Sequence, residues 1–260
     1  MAELSTRQRV RRSIQSVSFL LFPVTIFYLS PFLIIAGAFL GILAGSALVF
    51  AALFLSSLLL GRSFCGWICP AGGMQELLMP MRNRRVGPRA KYVKYAIWVP
   101  WLAAIVFGAV RAGGIRSVVP GLGTVGGLSV ASVHGLIVYL IVVTIFASLS
   151  LAIGRRAACH TICWMAPFML LGRSIRNVFR WPSLHLRAQP ERCIECSLCT
   201  RECPMSIPVM ERLSVGNMEH SECVLCGVCI DRCPKNVLSY GFLESHRHST
   251  ADLTSKHVSQ

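Results

Sequence analysis

Two strings decide how this chain is read: CIECSLCTRECP at 193–204 and CVLCGVCIDRCP at 223–234. Each is C-x2-C-x2-C-x3-C-P, the bacterial ferredoxin spacing for cubane iron–sulfur clusters. Three cysteines two residues apart wrap a loop around one cluster, and the fourth starts a short helix that points to the other cluster. Ligation is therefore expected to be crossed. Cys193, Cys196, Cys199 and Cys233 would hold one [4Fe-4S] cluster, and Cys223, Cys226, Cys229 and Cys203 the other. Zinc sites favour paired C-x2-C groups set further apart, and disulfides are disfavoured in a reducing compartment.

Outward from these strings the composition changes. The chain has 260 residues, a net charge of +15, 54% hydrophobic and only 14% charged residues, against about 25% charged in ordinary soluble domains. Residues 1–190 carry 19 Lys and Arg but only 2 Asp and Glu, whereas residues 191–260 carry 7 and 9. The basic residues bracket long apolar runs, which is a membrane pattern rather than a nucleic-acid one. No charge occurs from Ser13 to Gly61, and a spanning helix needs about 20 residues. This run must therefore fold back, with Ser30-Pro31 and Gly37, Gly41 and Gly45 as breaking points.

The expected fold is a membrane α-helical protein of four transmembrane helices, joined to a small α+β two-cluster ferredoxin-like domain. The spans are placed at about 14–32, 40–60, 94–111 and 133–153. A basic N-terminus (1–12) precedes a membrane domain (13–169). A basic amphipathic linker (170–190), holding Arg173, Arg176, Arg180 and Arg187, is expected to lie on the anionic inner leaflet. The ferredoxin domain (191–243) and a polar tail (244–260) with His246, His248 and His257 follow. Of the basic residues before 190, only Arg111 and Arg116 fall beside the loop between the third and fourth spans. The positive-inside rule then puts both termini in the cytoplasm of a multi-pass protein in a prokaryotic inner membrane.

The remaining cysteines form two C-x3-C pairs, Cys65/Cys69 and Cys159/Cys163, each at i and i+4 on one helix face. Each pair follows an even-numbered span and a Gly-Arg step, Gly61-Arg62 and Gly154-Arg155. The membrane half thus reads as one two-helix unit used twice, a symmetry that brings the four thiols together. A third cluster, a thiol relay and buried reduced cysteines all remain open. Trp67 and Trp164 are expected to be interface anchors.

The strings Phe64-Cys65-Gly66-Trp67-Ile68-Cys69-Pro70 and Cys159-His160-Thr161-Ile162-Cys163, with the tandem cluster motifs after them, resemble the NapH/MauN family of ferredoxin-type membrane proteins. That resemblance covers nearly the whole chain. It implies a quinol dehydrogenase membrane component with quinol or menaquinol as electron source and partner redox subunits as acceptors. One departure is Trp164, where the family usually has proline. It points to a sub-branch of the family with a different partner enzyme.

The function expected is one-electron transfer between the quinone pool, or a membrane redox partner, and a soluble or periplasmic oxidoreductase. The chain would act as an electron-transfer subunit rather than a stand-alone enzyme. The alternative is an assembly factor supplying electrons for metal insertion in a partner enzyme. A bis-histidine haem is excluded, since only His134 lies near a span. His134, with Arg111 and Arg116 on the same side, is the candidate quinol site. Membrane lipid is an expected partner; nucleic acid is not.

Overall fold

The computed structural model describes residues 5–242, so the tail histidines His246, His248 and His257 lie outside the described residues. Helix α1 (Thr6–Leu20) starts at Ser5, whose side chain accepts a hydrogen bond from the Gln8 amide, a standard N-cap. One face of α1 buries Gln8, Arg11 and Gln15, so this helix presents polar groups to the protein rather than a uniformly apolar surface to lipid. After Leu21 the chain bends by 57° into α2 (Phe22–Thr25) and a 3-10 turn, Ile26–Leu29. Pro23 within α2 lacks the N–H needed to continue the ladder of α1. Ser30 then caps α3 (Pro31–Leu40), which ends at Gly41 in the left-handed region with φ 69°.

The short strand β1 (Ile42–Ala44) leads into α4 (Gly45–Leu60). The run expected as spans at 14–32 and 40–60 is therefore broken into shorter pieces. The first piece is bent, and α4 has 16 residues, short of the ~20 of a perpendicular span. The turn α5 (Ser63–Trp67) and α6 (Pro70–Leu78) follow, and then α7 (Lys91–Arg111).

Strand β2 (Ser117–Val119), in the loop after α7, pairs in parallel with β1. Then comes α8 (Val133–Ile153). Among the described residues two helices are long and apolar enough to cross a membrane, α7 with its preceding turn and α8, or three if α1 and its bent continuation form one span. Only 11% of each of their apolar windows is buried inside the chain, so most of that surface is left for a nonpolar surrounding.

Beyond α8, α9 (Ala157–Thr161) and α10 (Ala166–Phe179) return beneath the helices. Helix α10 packs on α4 where Gly172 meets Ser57; a Cβ at 172 would collide with the Ser57 hydroxyl. Two arginines of the linker expected to lie on the leaflet are tied inward. Arg173 donates to the Glu219 carboxylate at 2.5 Å, and Arg176 is buried beside it. The outward residues are Leu171, Ser174, Asn177, Val178 and Phe179, followed by the exposed Arg180, whereas the two cations with an acidic partner within the fold face inward.

The C-terminal region closes with β3 (His185–Ala188) antiparallel to β4 (Leu238–Gly241). Between them lie the short helices α11 (Leu198–Arg201), α12 (Val209–Ser214) and α13 (Val228–Asp231). One apolar core runs from Phe50, Leu53 and Phe146 through Cys65, Cys69, Cys159 and Cys163 to Val224, Cys226 and Leu238. The two halves are thus packed against each other, not tethered by a loose linker.

Candidate iron–sulfur sites

The two four-cysteine runs follow the same backbone path. Positive φ values recur at matched positions: Glu195 and Leu225, Ser197 and Gly227, Ser206 and Asn236. For residues other than glycine this region is disfavoured, and it persists where the surrounding structure requires it. Here it curls each loop around a cavity. Cys203, Cys223, Cys226 and Cys229 line one cavity; Cys193, Cys196, Cys199 and Cys233 line a second. The fourth cysteine of each run faces the other run's cavity. All twelve cysteines are free thiols. Among the described residues no group of three or more His, Cys, Asp or Glu side chains is placed to hold a single metal ion. The donor set is all sulfur and surrounds volumes, which fits cubane clusters and the chemistry of thiolate for iron.

The C-x3-C pairs are related by a fixed shift of 94 positions, and the match extends to individual bonds. In the first unit the amides of Ile68 and Cys69 both donate to the Phe64 carbonyl at 2.9 Å; in the second, those of Ile162 and Cys163 both donate to Ala158 at 3.0 Å. Arg62 and Arg156 are the N-caps of α5 and α9. Gln75 and Met169 also correspond. The Gln75 amide reaches Cys159 Sγ at 3.2 Å, and Met169 Sδ lies 3.5 Å from Cys65 Sγ. Each unit therefore contacts the first cysteine of the other, and all four sulfurs belong to one buried core.

Burial pushes the thiols of Cys69 and Cys159 up and that of Cys163 up to about 12, aided by the neighbouring cysteines. Without a metal these groups stay protonated and poorly reactive. The surroundings are nevertheless cationic. Arg62 and Arg156 are almost fully buried. Arg62 Nη1 contacts Glu222 at 3.3 Å, and Arg156 Nη2 meets Glu76 at 2.5 Å while its Nη1 donates to the Cys65 carbonyl at 2.9 Å. Among the described residues, the buried side-chain atoms with no partner in the protein include Arg62 Nε, Arg156 Nε and His160 Nε2, next to the cysteines in sequence, as well as Arg176 Nε and Nη2, Ser46 Oγ and Trp98 Nε1. Buried polar atoms of this kind need an explanation, and a cluster held by Cys65, Cys69, Cys159 and Cys163 would supply one for the three beside them.

Glu222, the residue before Cys223, ties the halves together. Its carboxylate accepts from Lys94 Nζ at 2.6 Å and from Arg62, and His160 Nδ1 lies 3.7 Å away. Burial alone would raise its pKa, but Arg62 and Lys94 more than reverse this and hold it at about 2. Burial drives His160 down to about 4, which keeps the imidazole neutral. Trp67 and Trp164 each clasp a second segment through the indole N–H. Trp67 Nε1 donates to the Leu225 carbonyl in the second cluster loop, and Trp164 Nε1 to Leu29 in the bent segment.

His134, Arg111 and Arg116 are exposed, and they lie at the far end of the bundle. His134 opens α8 and Cys159 follows its other end, so a helix of about 30 Å separates them. Beside the cysteines lies an apolar cavity of about 190 Å³ lined by Cys69, Cys159, Cys163, Phe22, Phe27, Phe146 and Trp164. Gln75, Glu76, Lys94, His160 and Glu222 escape a reading of spacing. The positive-inside rule treats lysines and arginines as topology markers, and nothing in a lone Gln or Glu announces a buried partner. The one available signal was the 94-residue shift, which pairs Arg62 with Arg156.

Comparison with known proteins agrees with this geometry. Residues 185–244 match the family model described as a 4Fe-4S dicluster domain, and residues 42–89, which include Cys65 and Cys69, match one described as a 4Fe-4S binding domain. Among curated proteins, the chain is 28% identical to the uncharacterized protein MJ0750 of Methanocaldococcus jannaschii over 60% of its length and 64% of that protein's. It is 28% identical to YccM of Escherichia coli, named for a proposed role in electron transport, over 72% of this chain and 53% of YccM. A second Methanocaldococcus jannaschii protein, the uncharacterized MJ0749, is 24% identical over 59% of this chain and 55% of its own. The chain thus spans between about half and two thirds of the length of these relatives. No solved structure matches it. The chain is an iron–sulfur protein with two ferredoxin-type 4Fe-4S domains, one overlapping its helical half and one closing it.

Proposed function

We propose that the protein is a membrane-bound electron carrier that passes single electrons between the quinone pool and a partner oxidoreductase through three iron–sulfur centres in series. The observation that carries this is a gradient of burial along the three cysteine sets. All four C-x3-C cysteines are buried. In the second set Cys203, Cys226 and Cys229 are buried, while in the first Cys196 is exposed and Cys193, Cys199 and Cys233 are half-buried. Gly66, between Cys65 and Cys69, packs so closely on the Val224 carbonyl that a methyl group would not fit. The order is therefore C-x3-C site, second set, first set, solvent.

Bound clusters supply one-electron redox chemistry; the chain fixes their order, burial and charge. Cys65, Cys69, Cys159 and Cys163 hold the third cluster, with Arg62 and Arg156 offsetting its negative charge. The apolar cavity at Cys69 and Cys163 suits the ring of a quinol or menaquinol arriving from the bilayer. It is the better placed of the two candidate quinol sites, because an electron released beside His134, Arg111 and Arg116 would have to cross the whole length of α8. The exposed Cys196 loop is where a partner redox subunit docks. The excess of basic residues at the cysteine end supports a reading in which that end, with both termini, faces the cytoplasm of a prokaryotic inner membrane.

Reduction of the purified protein in lipid vesicles by added menaquinol, followed by loss of the cluster absorbance, tests this. Stoichiometric bleaching is expected. Clusters that stay oxidised with quinol yet bleach with dithionite contradict the respiratory role. Cells whose partner enzyme lacks its metal centre while quinol oxidation continues point instead to the assembly role.

A further inference from the structure

Gln75 is a fully buried amide in the wall of the C-x3-C site, and every one of its bonding positions is fixed. Its Oε1 accepts from the Ala158 backbone N–H at 3.0 Å and from the Ser150 hydroxyl at 3.1 Å. A backbone N–H only donates, so the amide orientation is determined by it. The Nε2 group must then face the other way, where it donates to the Ala71 carbonyl at 3.0 Å and to Cys159 Sγ at 3.2 Å. At the symmetry-equivalent position stands Met169, equally buried, whose sulfur faces Cys65 and has no hydrogen to donate. Two units alike in cysteines, arginine caps and backbone bonds thus differ at the residue that touches the sulfur.

We infer that Gln75 tunes the reduction potential of the C-x3-C centre through a one-sided N–H···S bond to Cys159, and that Met169 leaves the opposite side untuned. The inference rests on the third-cluster reading above. Reduction adds one electron to the centre, supplied by the quinol-side donor, and no bond at Gln75 forms or breaks. The added charge spreads onto the cysteine sulfurs. A donor aimed at one of them stabilises the reduced form and raises the potential, as hydrogen bonds to cluster sulfurs do generally. Gln and Met are close in length and volume, so exchanging them keeps the packing nearly constant.

The test is an EPR-monitored redox titration of the full chain in lipid nanodiscs, with iron counted on the same samples. Gln75→Met lowers the midpoint of the C-x3-C centre and Met169→Gln raises it. The two ferredoxin-type centres stay where they are, and iron stays at about twelve per chain, three [4Fe–4S] units. Both variants titrating at the wild-type midpoint with iron retained overturns the inference while sparing the three-centre reading. A wild-type protein with about eight irons overturns that reading, and the inference with it. Should Gln75→Met fail to assemble, pulsed EPR of wild-type protein labelled with side-chain 15N-glutamine decides. A 15N coupling to the reduced centre is expected, and its absence overturns the inference.

Discussion

The two four-cysteine runs have the same spacing and the same sequence of left-handed turns, but they sit in opposite surroundings. Around the second run the Leu225 carbonyl accepts from Trp67 and Tyr240, the Cys226 carbonyl accepts from Gln8, and Glu222 is locked to Lys94 and Arg62. The first run has Ile194 and Cys196 open to solvent, and Arg192, the counterpart of Glu222, is exposed. One motif thus makes both an enclosed site and an open one. What distinguishes them lies in the neighbours supplied by α1, α5 and α7, not in the ligands.

The largest expected effect separates these two environments directly. Glu222→Ala leaves Lys94 and Arg62 buried without their carboxylate, a change that typically costs about 3–5 kcal/mol. Arg192→Ala at the matched position is expected to fall within about 0.5 kcal/mol, as surface substitutions do. Denaturant unfolding of the two variants in detergent measures the difference; equal losses would erase the distinction between the runs.

Acid probes the same enclosed side. Burial alone would raise the Glu76 pKa, but Arg156 and Arg11 reverse this and hold it below its ordinary value of 4.5. A depressed folded-state pKa gives stability that is complete above the unfolded value and lost as pH falls through the folded one. Stability is therefore expected to drop below about pH 4.5, with a shallower drop in Glu76→Gln, whose starting stability is lower. A pH profile of the unfolding midpoint that is identical in both would remove Glu76 from the account.

A smaller pair of changes exchanges the turn residues. Gly227 has φ 75°, and a Cβ there would lie 2.7 Å from the Tyr240 hydroxyl, so Gly227→Ser is expected to cost about 1–3 kcal/mol. Ser197→Gly, at φ 57° on the open run, relieves a left-handed serine and is expected to change stability by under ~1 kcal/mol. Thermal melts of the two variants check this. The smallest effect is Arg7→Ala. The Arg7–Asp231 pair, at 2.6 Å, is partly exposed, so its loss is expected to cost about 0.2–1 kcal/mol and to shrink further in high salt.

How much of this was legible in the sequence depended on whether the signal was local. The eight ferredoxin cysteines form a repeat with fixed steps, and the third and fourth apolar runs end at charges close to where α7 and α8 end. The first 60 residues were harder to read. Their lack of charge says that they are apolar, but Pro23 bends the path and Gln8, Arg11 and Gln15 turn α1 toward the cluster domain. Buried ion pairs such as Glu222 with Lys94 join residues 128 positions apart, and no spacing rule reaches that far. The linker arginines Arg173 and Arg176 have the composition of a lipid-facing stripe; only the position of Glu219 shows that they face inward.

Four cysteines from two repeated units are proposed to form a third centre next to the enclosed run. Iron and acid-labile sulfide per chain, measured on anaerobically purified wild-type protein and on Cys65→Ser and Cys159→Ser variants, test it most directly. About twelve irons are expected in the wild type and about eight in each variant, with the two ferredoxin-type clusters intact. About eight irons in all three proteins would contradict it.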